Sequence, residues 1–228
     1  MSSEREFRQR NTRKAAVVHV GGFRPTGDPF ASNFGLQALG LPGEEWPLAN
    51  GTPMLFVCQL NLTAAPSIPP ALADIKLLTF FVEPEFGDLS QENHENWCLR
   101  AYKTLQDLTP IPRPSSAPAA KRGFECRWEE CDDHPNYDDS GLIEIEGFDS
   151  ADVDLENVAK TKIGGYVSSI QSEPWWAMEE HPAVPVYCLQ IASEEKAGMM
   201  WGDGGILYIA RGTSPGMEHQ WFLDWQCY

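Results

Sequence analysis

Hydrophobic residues in this chain gather in short runs separated by proline, glycine and acidic clusters. PMLFVCQLNL (53–62), LLTFFVEP (77–84) and WCLRAY (97–102) are answered downstream by VPVYCLQIAS (184–193), GILYIARG (205–212) and WFLDWQCY (221–228). Runs this short, rich in β-branched and aromatic side chains, predict strands. Successive side chains of a strand point to opposite faces. Strict alternation therefore puts Gln59 on one face with Val57 and Leu55, and Gln190 on one face with Cys188 and Val186. The other faces carry Phe56, Cys58 and Leu60 in one run, and Tyr187, Leu189 and Ile191 in the other. Both faces are apolar, the pattern of central strands covered on both sides. A glutamine in such a strand must satisfy its amide, so Gln59 and Gln190 are expected to tie down neighbouring backbone. Contact with a ligand is the other use such an amide could have.

The runs recur in order. Gly21-Gly22 before an aromatic precedes the first glutamine strand, and Gly164-Gly165 before an aromatic precedes the second. An aromatic strand follows each, and then a strand opening with tryptophan. This ordered match predicts an internal duplication. It also assigns residues 97–103 to a strand, although ENHENWCLRAYKTLQDL has a helical composition. Helical signals are few. SADVDLENVAK (150–160) has a capping serine and acids in its first turn, and predicts a short helix. PPALADI (69–75) predicts one helical turn. The expected fold is α+β and strand-rich, with two similar halves sharing one core.

TPIPRPSSAPAAKRG (109–123) reads as an extended connection because of its prolines and small residues. The organisation expected is a flexible basic tail over 1–14 and a single domain over 15–228. That domain divides into half one (15–108), a linker (109–122) and half two (123–228).

Charge narrows the function classes. The chain has 17 basic and 33 acidic residues, a net charge of −16. Arg5, Arg8, Arg10, Arg13 and Lys14 concentrate positive charge at the start, so the remainder is more acidic still. Such a surface repels nucleic acid and anionic membrane and attracts basic proteins. No apolar stretch approaches the roughly 18 residues of a membrane helix, and the charged start lacks the apolar core of a signal peptide. The six cysteines, at 58, 98, 126, 131, 188 and 227, are read as reduced thiols of a cytoplasmic protein.

Reaction signatures are weak. The Gly-Gly-aromatic pairs lack the lysine and hydroxyl residue of a phosphate loop. Cys126, Cys131 and His134 supply three candidate zinc ligands and no fourth. WGDGG (201–205) has the composition of a tight turn, with Asp203 as a turn residue rather than an acid catalyst. No Ser-His-Asp or Cys-His pattern surrounds any histidine. No cofactor and no metal are expected.

The segment 125–156 is the most unusual part of the chain. Carboxylates dominate it, with Trp128, Tyr137 and Phe148 interleaved. Such a run is either a solvated face or a surface for a basic protein. On the second reading Glu129, Glu130, Asp132, Asp133, Asp138 and Asp139 supply charge, and Trp128 and Tyr137 supply anchors.

Several motifs together resemble the YwqG-like family, a bacterial domain of unknown function. They are Trp46-Pro47, NGTPMLFVCQLNL (50–62), LLTFFV (77–82), KIGGYVSSIQSEP (162–174), VYCLQI (186–191), MMWGDGGILYI (199–209) and the terminal QCY. The resemblance implies a mixed, strand-rich fold with internal duplication and supplies no catalytic residue. Within it Trp46, Gln59, Gly164, Gly165, Gln190, Trp201 and Asp203 are expected to be structural. Some relatives stand beside secreted antibacterial toxins. The expected function is therefore an acidic binding protein, an immunity protein that inhibits a basic toxin such as a nuclease. The alternative is a small-ligand binder or enzyme with its site between the two halves.

Overall fold

The computed structural model describes residues 3–85, 89, 92–136, 141–151 and 153–228. Its strands are β1 (Arg13–Val20), β2 (Asn33–Phe34), β3 (Leu39–Gly40), β4 (Leu48–Ala49), β5 (Thr52–Pro53), β6 (Leu55–Asn61), β7 (Leu77–Val82), β8 (Trp97–Tyr102), β9 (Thr109–Pro110), β10 (Phe124–Asp133), β11 (Lys162–Gly164), β12 (Pro185–Ala192), β13 (Ile206–Gly212) and β14 (Trp221–Gln226). Two short helices, α1 (Ser3–Arg10) and α2 (Trp175–Met178), accompany them. Among the described residues strands hold 34% and helices, 3-10 turns included, 8%. The α+β expectation is thus overturned, and the fold is essentially all-β.

The helix expected over 150–160 is among the losses. Val153, Leu155 and Asn157 turn inward there while Asp154 and Glu156 face out, a period of two that belongs to extended chain. The turn expected over 69–75 is present as a 3-10 turn at Pro70–Leu72.

Ten strands form one antiparallel sheet in the order β14-β13-β12-β11-β1-β10-β2-β6-β7-β8. The sheet curls until it nearly closes as a barrel. Val18, Val20, Leu60, Phe80, Trp97, Leu99, Cys126, Ile191, Ile209 and Leu223 belong to one interior core. The first strand of each half has crossed to the other side: β1 pairs with β11, and β10 pairs with β2. The two crossing strands pair with each other, with His19 opposite Arg127.

Beyond the crossing, the halves repeat the same registers. Asn33 stands opposite Gln59, and Lys162 opposite Gln190. Gln59 then faces Thr79, and Gln190 faces Tyr208. Val82 faces Trp97, and Arg211 faces Trp221. These registers match Gly164 with Gly35, each two residues beyond the start of its strand, and not with Gly21 as the sequence pattern suggested. Gly21 instead continues β1, its N–H donating to the Glu125 carbonyl at 3.0 Å.

The strict alternation expected around the glutamines fails for a matching reason in both halves. The β6–β7 register shifts between Phe56 and Cys58, and the β12–β13 register shifts between Tyr187 and Leu189. A bulge adds one residue to a strand and turns the residues before it to the other face. Val57 and Cys188 therefore join the interior, and Phe56 joins an outer cluster. The Tyr187 hydroxyl reaches Gln190 Oε1 on the outer face, at 3.2 Å.

The outer faces are covered by loops. In half one Ala38, Trp46, Ala49, Met54, Ile111 and Ala117 pack on Phe56, Phe81 and Cys98. The segment 109–122 is therefore more than a linker. β9 pairs with β3, and Ile111 N–H donates to the Ala38 carbonyl at 2.9 Å. In half two Val167, Ile170, Trp175 and Trp176 pack on Ala192, Ile206, Tyr208 and Ala210.

The basic tail is also a structured element. Phe7 of α1 is wholly buried and packs against Phe148, the rings tilted with centroids 5.6 Å apart. Asn11 donates to the Ile143 carbonyl and accepts from the Ile143 N–H, at 2.9 and 2.7 Å. Arg8 and Arg10 pair with Glu4 and Glu6 one turn earlier, so much of the helix's positive charge is answered within it.

Candidate functional site

The two glutamines hold their covering loops by equivalent bonds. Gln59 accepts from Leu39 N–H at 3.0 Å and donates to the carbonyls of Pro29 and Ala31 at 2.9 and 3.1 Å. Gln190 accepts from Ser168 N–H at 3.0 Å and donates to the Lys160 carbonyl at 2.9 Å. Both amides are fully buried, so neither is presented to a ligand. Trp46 donates its indole N–H to the Met54 carbonyl at 2.8 Å. Trp201 lies in the interior core, and Asp203 sits in an exposed turn whose backbone carbonyl accepts from Tyr228 N–H at 3.3 Å.

The chain leaves β11 through Gly164, Gly165 and Tyr166. Gly165 has φ +69°, and a Cβ there would lie 2.2 Å from a carboxylate oxygen of Asp133. Only glycine accepts both conditions. Asp133 itself is completely buried. It accepts from Lys162 Nζ at 2.7 Å, from Tyr166 N–H at 2.7 Å and from Val158 N–H at 2.8 Å. Its assignment to a partner surface is therefore wrong. A buried carboxylate is retained only with such a set of donors, and here it fixes the start of the loop that follows.

The remaining acidic candidates divide between the faces of the β1–β10 ribbon. Glu129 is paired with His19 at 2.5 Å on one face. Glu130 and Asp132 share Lys14, at 3.3 and 2.9 Å, on the other. Trp128 points inward, and its indole N–H donates to the Asn61 carbonyl at 3.1 Å. It is half-buried against the interior core rather than a free anchor. Tyr137, Asp138 and Asp139 lie outside the described residues. Glu129, Glu130 and Asp132 keep side-chain exposures of 66%, 42% and 57%.

The zinc candidates do not converge. Cys126 faces the interior, and His134 uses both ring nitrogens, at 3.1 Å from Thr12 Oγ1 and 3.0 Å from the Glu156 carbonyl. No group of three or more metal-ligating side chains occurs among the described residues. Cys98 lies 3.2 Å from His94 Nδ1, but burial pushes its thiol up to about 11, so it stays protonated near neutral pH. Burial likewise raises the thiols of Cys126 and Cys188 to about 12.

Of the open depressions, two bear most on chemistry. One, of about 500 Å³, lies at the seam where β8 approaches β14 and is lined by His94, Arg100, Lys103, Arg211, Glu218 and His219 among others. The other, of about 690 Å³, lies on half two between Gly164–Val167, Trp176, Pro185–Tyr187 and the segment Ser67–Pro70. Arg13 stands at its edge with its guanidinium 4.1 Å from the Tyr166 ring centroid. Sequence reasoning noticed the two glycines with the aromatic that follows them, and Tyr187 as a strand residue, but did not gather them with Trp176 into one site. The doublet Trp175-Trp176 after Pro174, two rings on one short turn, was the available signal.

Comparison with known families finds one match: the model described as "Domain of unknown function (DUF1963)" covers residues 32–211. No curated protein matches the chain. The matched span contains both glutamine strands, the buried Asp133–Lys162 pair and the glycines of the half-two loop.

Proposed function

From the premise that the chain belongs to the DUF1963 family, we propose that it is a cytoplasmic, non-catalytic binding protein that captures a basic protein. In its finer form the partner is a basic antibacterial toxin such as a nuclease, and the chain is the cognate immunity protein. The observation that carries this reading is the exposed ribbon of β10. Glu129, Glu130 and Asp132 stand in solvent there, with Lys14 between the last two and the His19 ring against the first. With a net charge of −16 behind them, these carboxylates accelerate encounter with a cationic surface. The YwqG-like resemblance, with its toxin-associated relatives, supports the finer form.

Affinity purification at low ionic strength, with mass spectrometry, identifies the partner. Replacing Glu129, Glu130 and Asp132 together by lysine should slow association with it and abolish protection of cells that express it. The fold should survive, because all three are exposed. Equal binding and protection by the folded triple variant would remove the ribbon from the interface.

A second reading is favoured by the seam. Arg100, Lys103 and Arg211 gather there with two histidines, Glu44 and Glu218. Although Arg211 and Lys103 already share Asp74, Lys103 is 71% exposed and can turn to a small anionic ligand. Saturable binding of an anionic metabolite, lost in Lys103→Glu, with no protein partner recovered, would establish this reading instead.

A further inference from the structure

The repeated registers bring a second correspondence with them. In half one, the loop Gly35-Leu36-Gln37-Ala38 leaves β2 and forms a depression with Phe56 and Trp46. In half two, Gly164-Gly165-Tyr166-Val167 leaves β11 and forms a depression with Tyr187 and Trp176. Phe56 and Tyr187 both stand one residue before the bulge of their strand. The two depressions are the same place on the two halves.

They differ in what covers them. The half-one floor is roofed by the chain's own TPIPRPSSAPAA (109–120). Pro110, Ile111, Pro112, Pro118 and Ala120 line the depression, and Ile111 and Ala117 are buried against Trp46 and Phe56. About 360 Å³ remains open there, against about 690 Å³ on half two. On half two the counterpart is walled instead by Arg13, Lys14, Gly141 and the proline-rich turn Ser67–Pro70 of half one, with Pro69 3.6 Å from where a Cβ of Gly164 would lie, and a larger space stays open. The floor stays apolar and aromatic, and Ile68 and Val186 are exposed along it.

We propose that the half-two groove binds an extended, proline-rich peptide carrying arginine or lysine, supplied by a partner protein. Three features specify this occupant. The chain already seats such a segment on the equivalent floor. Aromatic grooves suit polyproline conformation, which is extended before binding and loses little entropy on docking. Glu173 lines the groove, and Glu179 and Glu180 follow α2 in the sequence, within a molecule of net charge −16, so a cationic peptide is favoured. Of the wall cations, Lys14 is paired with Glu130 and Asp132, while Arg13, stacked on Tyr166, keeps its charge, so the cationic residue of the peptide is placed away from the Arg13 edge. The ligand seats by side-chain packing rather than by extending a strand. The Val167 carbonyl, counterpart of the Ala38 carbonyl that receives Ile111, already accepts from Asn157 at 3.1 Å. This proposal is independent of the carboxylate ribbon and stands or falls separately from it.

The test titrates the full-length protein with a synthetic peptide of residues 109–120 and with an array of proline-rich dodecapeptides bearing one to three arginines. Calorimetry and backbone chemical shifts are the readouts. Saturable binding tighter than about 1 mM is expected. Shifts should centre on Tyr166, Trp176 and Val186. Val186→Arg, an exposed position that folding tolerates, should weaken binding at least about tenfold by filling the groove with charge. Glu173→Lys should weaken arginine-bearing peptides more than neutral ones. No saturable binding by any peptide of the array would overturn the proposal. So would shifts confined to the half-one depression, or affinity unchanged in a Val186→Arg protein with an unaltered unfolding midpoint.

Discussion

At the scale of single residues, the buried polar groups decide most. Gln59 and Gln190 each join a central strand to the loop that covers it. Replacing either by alanine strands buried backbone donors and acceptors, so each variant should lose about 1–3 kcal/mol in denaturant unfolding. Unchanged midpoints and slopes for both would show that the bonds are dispensable. That these amides anchor backbone was legible in the sequence, because a glutamine between two apolar faces has few other ways to be satisfied. The faces they share were not, because alternation is a local rule and the bulges at Val57 and Cys188 break it. Asp133 was misread for a related reason. In a run of acids, a buried carboxylate looks like its exposed neighbours until the fold brings Lys162 to it. Asp133→Asn keeps the shape but leaves Lys162 as an uncompensated buried charge, at a cost of about 3–5 kcal/mol. Asp132→Asn, one residue away and solvated, should leave the unfolding midpoint unchanged; equal effects of the two would contradict the burial contrast.

At the scale of elements, the repeated strands were readable and their covers were not. Each apolar run named in the sequence became a strand, with most of its residues buried in the interior core or under a covering loop. The segment 150–160 offered capping and acids for a helix but no apolar stripe at helical spacing, and it remained extended. The basic start was mistaken for a tail because its anchors find their partners far away in sequence, Phe7 on Phe148 and Asn11 on Ile143. One ion pair ties strand to turn across the halves. Arg211 of β13 donates to both oxygens of Asp74, and Lys103 approaches the same carboxylate at 2.9 Å. The Arg211 hydrogen bond, with help from Lys103, holds the Asp74 carboxyl well below the usual carboxylate range. A carboxyl lowered in the folded state contributes stability above its unfolded pKa, near 4, and loses that contribution as pH falls toward its folded value. The stability difference between wild type and Asp74→Asn should therefore be full above about pH 5 and shrink as pH falls below that, with most of the loss below about pH 4. A difference that stays constant, or grows in acid, would remove this pair from the acid response.

At the scale of the whole molecule, the exchanged first strands make the two halves one folding unit. Half one cannot complete its sheet without β10, which the chain supplies from half two; half two needs β1 in the same way. The sequence repeat told of two similar halves but could not tell of this exchange, because each half reads the same whether its first strand stays or crosses. The exchange also explains why segment 109–122 packs closely: it must roof half one before entering β10. A cut between Arg113 and Ser116, in an exposed stretch of that segment, provides the test. Fragments 1–114 and 115–228, expressed separately, should each leave a sheet edge and an apolar interior face uncovered and show no cooperative unfolding transition. Expressed together, they should copurify as a one-to-one complex with a single transition, because β1 pairs with β10 and β11 while β10 pairs with β2. If either fragment alone gives a cooperative transition and dispersed amide signals, the halves are separable domains, and the crossing of β1 and β10 is not what holds the barrel together.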